Sequence, residues 1–356
     1  MTVERPVQAP VVDVPAGAGP DAARGEPLLA RLAAVARWEA LLVLILLGLG
    51  WLGAHLSPVF LSAQNVANLT VAEMEVGIIA LPMTLIVIAG EIDLSVESMV
   101  GLSGAVLGFV WAAGVPLWAG IPLVLGLGAL GGWLNGALVT RAGLPSLVVT
   151  LGTLALFRGL ASVVLGPRAI SNFPAEFTAF GFGAVPGTGI PWPLVVFVVL
   201  GVVLGLVLHR TWLGRQIYAT GKNPAAARYS GVPVARLKTG LFVLSGTLSA
   251  LAGVILTSRL SSARADAGQN MTLAVVTAVL LGGVNIFGGS GTIPGVVLAI
   301  FTLAVLQNAL RLADVSTELQ SIAIGLLLIV SVVVPSLARQ AARAAVHLTR
   351  RGFVAP

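Results

Sequence analysis

The stretch GEIDLSVES, residues 90–98, sets Glu91, Asp93 and Glu97 between two long apolar runs in a chain with only fourteen acidic side chains. Carboxylates so placed have two uses. They can cap a helix, whose unpaired N–H groups and positive dipole end favour an anion. They can also line a polar path or gate through lipid, where ionisable groups are costly and purposeful. Asp93 and Ser95 suit both, capping the helix that follows or lining the pathway, and the two readings merge if the segment enters the bilayer as a broken helix. Glu91 and Glu97 read as solvated carboxylates at the rim.

Spacing excludes most other chemistry. GLGWLG (Gly48, Gly50, Gly53) and GLGALG (Gly126, Gly128, Gly131) satisfy G-x-G-x-x-G, but each lies inside an apolar run with no strand before it. They read as close helix packing; Gly128 with Gly132, and Gly132 with Gly136, have the small-xxx-small spacing that lets backbones approach in lipid. Gly221-Lys222 lacks the spacing of a phosphate-cradling loop, so any ATP is hydrolysed by a partner. His55, His209 and His347 are scattered without metal-ligand spacing, and the chain has no cysteine. We expect no catalytic residue, no metal site and no cofactor of its own.

These residues must be positioned by membrane helices. The chain has 356 residues, 57% hydrophobic and 10% charged, and a mean hydropathy of +1.00, which no ordinary soluble domain shows. A spanning helix needs about 20 mostly apolar residues, and runs occur near 38–56, 71–89, 97–114, 117–139, 144–165, 191–208, 239–257, 272–287, 292–311 and 318–335. The fold class is all-α, a polytopic transmembrane bundle of about ten helices over 31–338. Residues 1–30, rich in Pro, Ala and Gly, read as a retained disordered tail, and 339–356 as a basic tail. With ten helices and the N-terminus inside, fifteen of the twenty Lys and Arg fall on inward segments, as the positive-inside rule requires. Both termini are then cytoplasmic. Arg158, Arg168, Arg259, Arg264 and Arg311 fall on outward loops or helix ends. Topology accounts for the basic excess, so no nucleic-acid partner is expected.

The longest inward connection, 209–238, carries six of those cations. Within it NPAAARYSG reads as a short helix: Asn223 caps it, Pro224 suits its first position and Gly231 ends it. A helix on a cytoplasmic loop is a docking element, or else the loop is only a basic anchor.

GEIDLSVES, LPSLVVTLGTLALFRGLA, GRQIYATGKNPAAARYSGV, LSGTLSALAGVILTSRLSSA and TAVLLGGVNIFGGSGTIPGVVLA occur in this order across residues 60–335. Together they resemble the sugar-type permease subunit of bacterial ABC importers, the group of ribose, xylose, rhamnose and autoinducer-2 transporters. The resemblance implies a multi-pass protein of the bacterial cytoplasmic (inner) membrane that pairs with a second permease copy or homologue. It implies an ABC ATPase subunit docked below, an extracytoplasmic solute-binding protein above, and a sugar-like substrate. The family pattern E-A-A-x-x-x-G, which contacts the ATPase, falls on Ala225, Ala226, Ala227 and Gly231. Its acidic position is Ala225 here, which leaves docking to shape and to Arg228 and Tyr229 beside Asn223 and Pro224. The family usually reads G-G-I-D-L-S-V-G-S, so Glu91 and Glu97 stand where glycines are usual. LPMTLIVIAG and TAVLLGGVNIFGGSGT look closest to rhamnose or autoinducer-2 permeases.

A sugar needs hydrogen-bonding side chains along its path. Asn68, Thr150, Thr153 and Asn308 are candidates beside Asp93 and Ser95, with Thr70, Asn135 and Gln307 also at membrane depth; interhelical hydrogen bonding is the alternative role for each. LGGVNIFGGSGTIPG around Asn285 reads as a turn between membrane helices or as a break. An ion-gradient-driven secondary transporter is the alternative function, but it calls for buried carboxylates in a relay, and the sequence offers none. A passive channel is a third reading, without a selectivity-filter sequence.

Overall fold

The computed structural model describes residues 28–331 and 333. They form α1 (Leu28–Leu56), α2 (Ala63–Ala72), α3 (Met74–Ile88), α4 (Val96–Ala112), α5 (Leu117–Thr140), α6 (Ser146–Leu165), α7 (Ala175–Phe182), α8 (Trp192–Arg210), α9 (Trp212–Lys222), α10 (Pro224–Tyr229), α11 (Val234–Leu260), α12 (Met271–Leu281) and α13 (Ile293–Leu312). A further apolar helix, α14, covers Thr317–Ser331. Helices are what lipid permits, because each satisfies its own backbone N–H and C=O groups. Every expected apolar run contains one of them. Six are long and apolar enough to span a membrane, or seven if α2 and α3 count as one span bent by 42°. α1 begins at Leu28, inside the tail expected over 1–30; the rest of that tail and the one over 339–356 lie outside the described residues.

Two expected runs are interrupted. The run 71–89 divides at Glu73 into α2 and α3. The run 272–287 stops at Leu281, and a glycine-rich turn replaces its last residues, closed by bonds from Asn285 N–H to Ser290 O (3.0 Å) and Gly288 N–H to Asn285 O (2.8 Å). Of the two readings of that segment, the turn is the one observed.

α11 is the mast of the bundle. It packs on α5 through Gly128, Gly132 and Gly136, spaced one turn apart. A Cβ at Gly132 would strike the Phe242 carbonyl, one at Gly136 would lie 2.7 Å from Thr239 Cα, and one at Gly246 would strike the Gly128 carbonyl. The helices touch backbone to backbone, as small residues at four-residue spacing allow. On its other sides α11 meets α3, α4 and α7.

The bundle has two distinct ends. At one, the α9 residue Gly221 lies against the Ile88 carbonyl and Gly289, Gly289 N–H bonds Ile88 O at 2.8 Å, and Trp38 Nε1 donates to Leu281 O at 2.9 Å. At the other, Ile170 and Ala263 form an isolated antiparallel bridge against Gly108 of α4.

Candidate functional site

Asp93 lies inside the bundle, 1% exposed. Its Oδ1 accepts from the Ser95 N–H (3.0 Å) and the Ser95 hydroxyl (2.6 Å), and its Oδ2 accepts from the Ser245 hydroxyl at 2.8 Å. Asn135 Nδ2 donates to Ser95 Oγ at 2.9 Å. The network joins the start of α4 to α5 and α11. Ser95, not Asp93, is the N-cap residue of α4, and its side chain makes no cap bond. Asp93 acts one step earlier, folding the turn back on Ser95 and tying it to α11.

Position along α11 gives the depth. Glu91 pairs with Lys238, near the start of α11, and Asp93 pairs with Ser245, seven residues further, about 10 Å at 1.5 Å per residue. The segment Glu91–Asp93 thus climbs into the bundle in non-helical form, and α4 starts at depth. Non-helical backbone is tolerated there because protein surrounds it.

The two flanking carboxylates are not solvated at the rim. Glu91 is 15% and Lys238 14% exposed at the side chain, in direct contact. Glu97 Oε1 faces Arg158 Nη2 at 3.6 Å, and Glu97 Oε2 accepts from the Thr272 N–H at 3.1 Å, which caps the start of α12. Arg158 is likewise not on a loop or helix end. It stands in the body of α6, and its Nη1 also reaches the carbonyls of Ala265 (3.1 Å) and Ala267 (3.2 Å). Each carboxylate standing where the resembled family has glycine has a cation against it.

The other sequence candidates divide. Thr150 and Thr153 are buried on α6, but their hydroxyls bond carbonyls of their own helix, Ser146 O at 2.8 Å and Val149 O at 3.2 Å. Thr150 adjoins the Asp93 segment through Ser146, whose hydroxyl accepts from Ile92 N–H at 3.3 Å. Asn308 lies elsewhere, in a reciprocal pair with Asn65 at 2.9 and 3.0 Å. Asn68 is exposed and bonds Gln64 at 3.1 Å, so it joins neither group.

Sequence reasoning missed three residues of weight. Asn65 is one. Glu73 and Glu75, 6% and 0% exposed, sit at the α2–α3 bend. Arg259 Nε donates to Glu75 Oε1 at 2.7 Å, and Gln307 Nε2 to Glu73 Oε2 at 3.4 Å. Buried carboxylates thus stand at this bend as well as at Asp93. The available signal was AEMEVG, two acids inside an apolar run. They do not form a chain with Asp93: along α11, Arg259 is fourteen residues from Ser245, about 21 Å.

The second candidate surface is α10. Asn223 Oδ1 accepts from the Ala226 N–H at 3.0 Å, Pro224 fills the first turn, and Gly231 turns the chain with φ +85°. Ala225, Ala226 and Arg228 are exposed, and Tyr229 is 94% exposed. Ala227 differs, being 4% exposed. It packs inward, with its carbonyl accepting from Val232 N–H at 3.0 Å, and so it anchors α10 and cannot face a partner. α9 holds this platform in place. Tyr218 donates its hydroxyl to Gly291 O at 2.7 Å, and burial pushes that phenol up to about 12, so it remains a donor at neutral pH.

A family model described as branched-chain amino acid transport system / permease component matches residues 65–332. The chain is similar to the autoinducer 2 import system permease protein LsrD of Yersinia enterocolitica, 40% identical over 304 residues, 83% of this chain and 91% of that protein. It is 41% identical over 264 residues to the proteins of that name from Yersinia pseudotuberculosis and Photorhabdus luminescens, covering 72% of this chain and 79% of each. No solved structure gives a significant match.

Proposed function

The chain belongs to the branched-chain amino acid transport system / permease component family, and from that membership we infer that it passes a sugar-like solute of the autoinducer-2 type. It is the membrane-spanning permease subunit of an ABC importer, a multi-pass inner-membrane protein. The solute is carried over from the names of the relatives. ATP is hydrolysed by a partner ATPase seated on α10, a second permease copy or homologue completes the pathway, and a solute-binding protein delivers the solute at the opposite end. Asp93, Ser95 and Asn135 with Ser245 form the polar element that gates it, Thr150 and Thr153 flank them, and Asn308 with Asn65 supports the neighbouring helices.

One observation carries the gate assignment: a carboxylate 1% exposed, held by Ser95 and by Ser245 of α11, with Asn135 of α5 donating to Ser95 in turn, at the point where α4 begins inside the bundle. Hydroxyls, amides and a carboxylate are the groups that exchange hydrogen bonds with a polyol. A proton-driven carrier is disfavoured by the separation of Asp93 from Glu73 and Glu75 along α11. The test is solute uptake by cells held at constant ATP. Uptake that persists with an uncoupler and stops with a hydrolysis-dead ATPase supports this reading; the reverse pattern overturns it.

A further inference from the structure

Among the described residues the two most exposed Phe, Tyr or Trp side chains are Tyr229 and Phe287, 94% and 85%. Both lie at the α10 end of the bundle. Phe287 belongs to the α12–α13 turn, where its own N–H donates to Asn285 Oδ1 at 3.2 Å, so an apolar ring is held out on an ordered backbone. The next two residues fix where it stands. A Cβ at Gly288 would lie 3.0 Å from both Gly221 O and Gly90 Cα, and one at Gly289 would lie 2.8 Å from Lys222 Cγ. The turn thus meets the ends of α3 and α9 closely. Lys222 is followed at once by Asn223, the cap of α10, and the six residues of α10 extend about 9 Å. Phe287 stands beside the start of that helix and Tyr229 at its end.

Position and charge say what such a surface takes. α3 is buried along its whole length, and Gly289 N–H bonds the carbonyl of its last residue, Ile88, at 2.8 Å. The turn therefore lies under the middle of the bundle, away from the perimeter that meets lipid, and its ring has no acyl chains to enter. The charge around it has one sign. Neither the 209–238 connection nor the 282–292 turn contains an acidic residue. Lys222 and Arg228 are exposed, and no carboxylate pairs with either among the described residues. Aromatic anchors of this kind fill apolar pockets at the centre of protein interfaces, and cations beside them select a partner with acids around the pocket.

We propose that Phe287 is a second anchor for the ATPase subunit seated on α10, its ring filling an apolar pocket rimmed by carboxylates that face Lys222 and Arg228. The proposal rests on the assignment of α10 as the ATPase seat. Two anchors on one surface fix an orientation where α10 alone could pivot. Gly90, which touches the turn, also opens the segment that carries Asp93, so a push on Phe287 reaches the gate through backbone contact.

The test places the photo-reactive residue p-benzoylphenylalanine at position 287 or at position 229 of the full chain, in cells that assemble the complete importer. Irradiated membranes are analysed for the cross-linked product. Both positions are expected to capture the ATPase. Capture from 229 alone overturns the second anchor and leaves the α10 seat standing, whereas capture from neither removes the seat and the anchor together. A product from 287 with lipid or with a second permease chain also overturns the proposal. In detergent, Phe287→Ser should weaken binding of the ATPase about tenfold, the scale of an interface anchor, and Phe287→Leu should keep most of it. The side chain is exposed, so thermal unfolding of either variant without the ATPase should match that of the unaltered chain. Unchanged binding in Phe287→Ser overturns the anchor.

Discussion

Asp93 accepts from three donors, and no cation pairs with it among the described residues. It thus differs from Glu91 and Glu97, each set against a cation. Asp93→Asn keeps the volume but puts an NH2 where an acceptor is needed, facing either Ser245 or Ser95. Bonds to a charged acceptor are worth about 1.5–3 kcal/mol each, so Asn should lower the unfolding temperature and reduce uptake at least tenfold. Ser245→Ala, which removes one donor, should cost less. Equal behaviour of Asn and the native residue in both assays would deny Asp93 any role as a carboxylate. The Glu91–Lys238 pair calls for a charge swap. Glu91→Lys and Lys238→Glu should each destabilise, and the double exchange should recover part of the loss, with a coupling of about 0.5–3 kcal/mol. Purely additive losses would show that the pair does not hold the segment. Asp93 and Ser95 stood out in the sequence because a carboxylate and a hydroxyl precede an apolar run. The partners of Asp93 and Glu91 did not, since Ser245 and Lys238 are about 150 residues away and only packing brings them near. Glu73 and Glu75 escaped notice because the apolar run around them was read as a continuous span, with no break at Glu73.

At the scale of helices, the sequence was most legible where period and composition agree. The ten apolar runs mark where helices lie, the caps Asn223, Pro224 and Gly231 delimit α10, and the four-residue glycine spacing in α5 corresponds to its seam with α11. Ends inside apolar sequence were not legible: hydropathy continues past Leu281 while the chain turns, because Gly283, Gly288 and Gly289 take φ of +83°, +84° and +77°. The glycine reading makes a sharp contrast. Gly132→Ala drives a methyl into the Phe242 carbonyl and should cost about 1–3 kcal/mol as overpacking. Gly126→Ala meets nothing within 4 Å and should be neutral or stabilise by about 0.5–1 kcal/mol. Thermal unfolding in one detergent measures both, and similar shifts would contradict the α5–α11 seam. On α10, Ala226→Asp and Tyr229→Ala change exposed side chains and should leave the amount of permease in the membrane normal while the ATPase is lost on purification. Gly231→Trp and Ala227→Asp are poorer probes of docking, since the first strains a positive φ and the second buries a charge. Normal ATPase retention and normal uptake in both exposed variants would reduce the loop to an anchor.

For the whole molecule, the described helices establish which residues share an end of the bundle, and charge assigns that end to a side of the membrane. Lys222 and the exposed α10 residues belong to the end closed by the α12–α13 turn, and Lys238 lies one turn into α11 from there. Arg168, Arg264 and the 166–190 connection belong to the end marked by the Ile170–Ala263 bridge. The positive-inside rule counts Lys and Arg in short connections, and the 209–238 loop carries six of them against one in 166–190. The α10 end should therefore face the cytoplasm. Two labels test this without disturbing the bundle. The chain has only two lysines, Lys222 and Lys238, and Lys238 is committed to Glu91, so amine labelling read by peptide mapping at the exposed Lys222, apart from the α-amine, reports on this end. It has no cysteine, so Ala184→Cys, on the exposed turn before Pro191, is a unique thiol. Membrane-impermeant reagents on right-side-out cells should label the thiol and spare the lysine, and inverted vesicles should give the opposite. Labelling of Lys222 from outside together with Ala184→Cys from inside would invert the molecule, and with it the placement of the ATPase at α10.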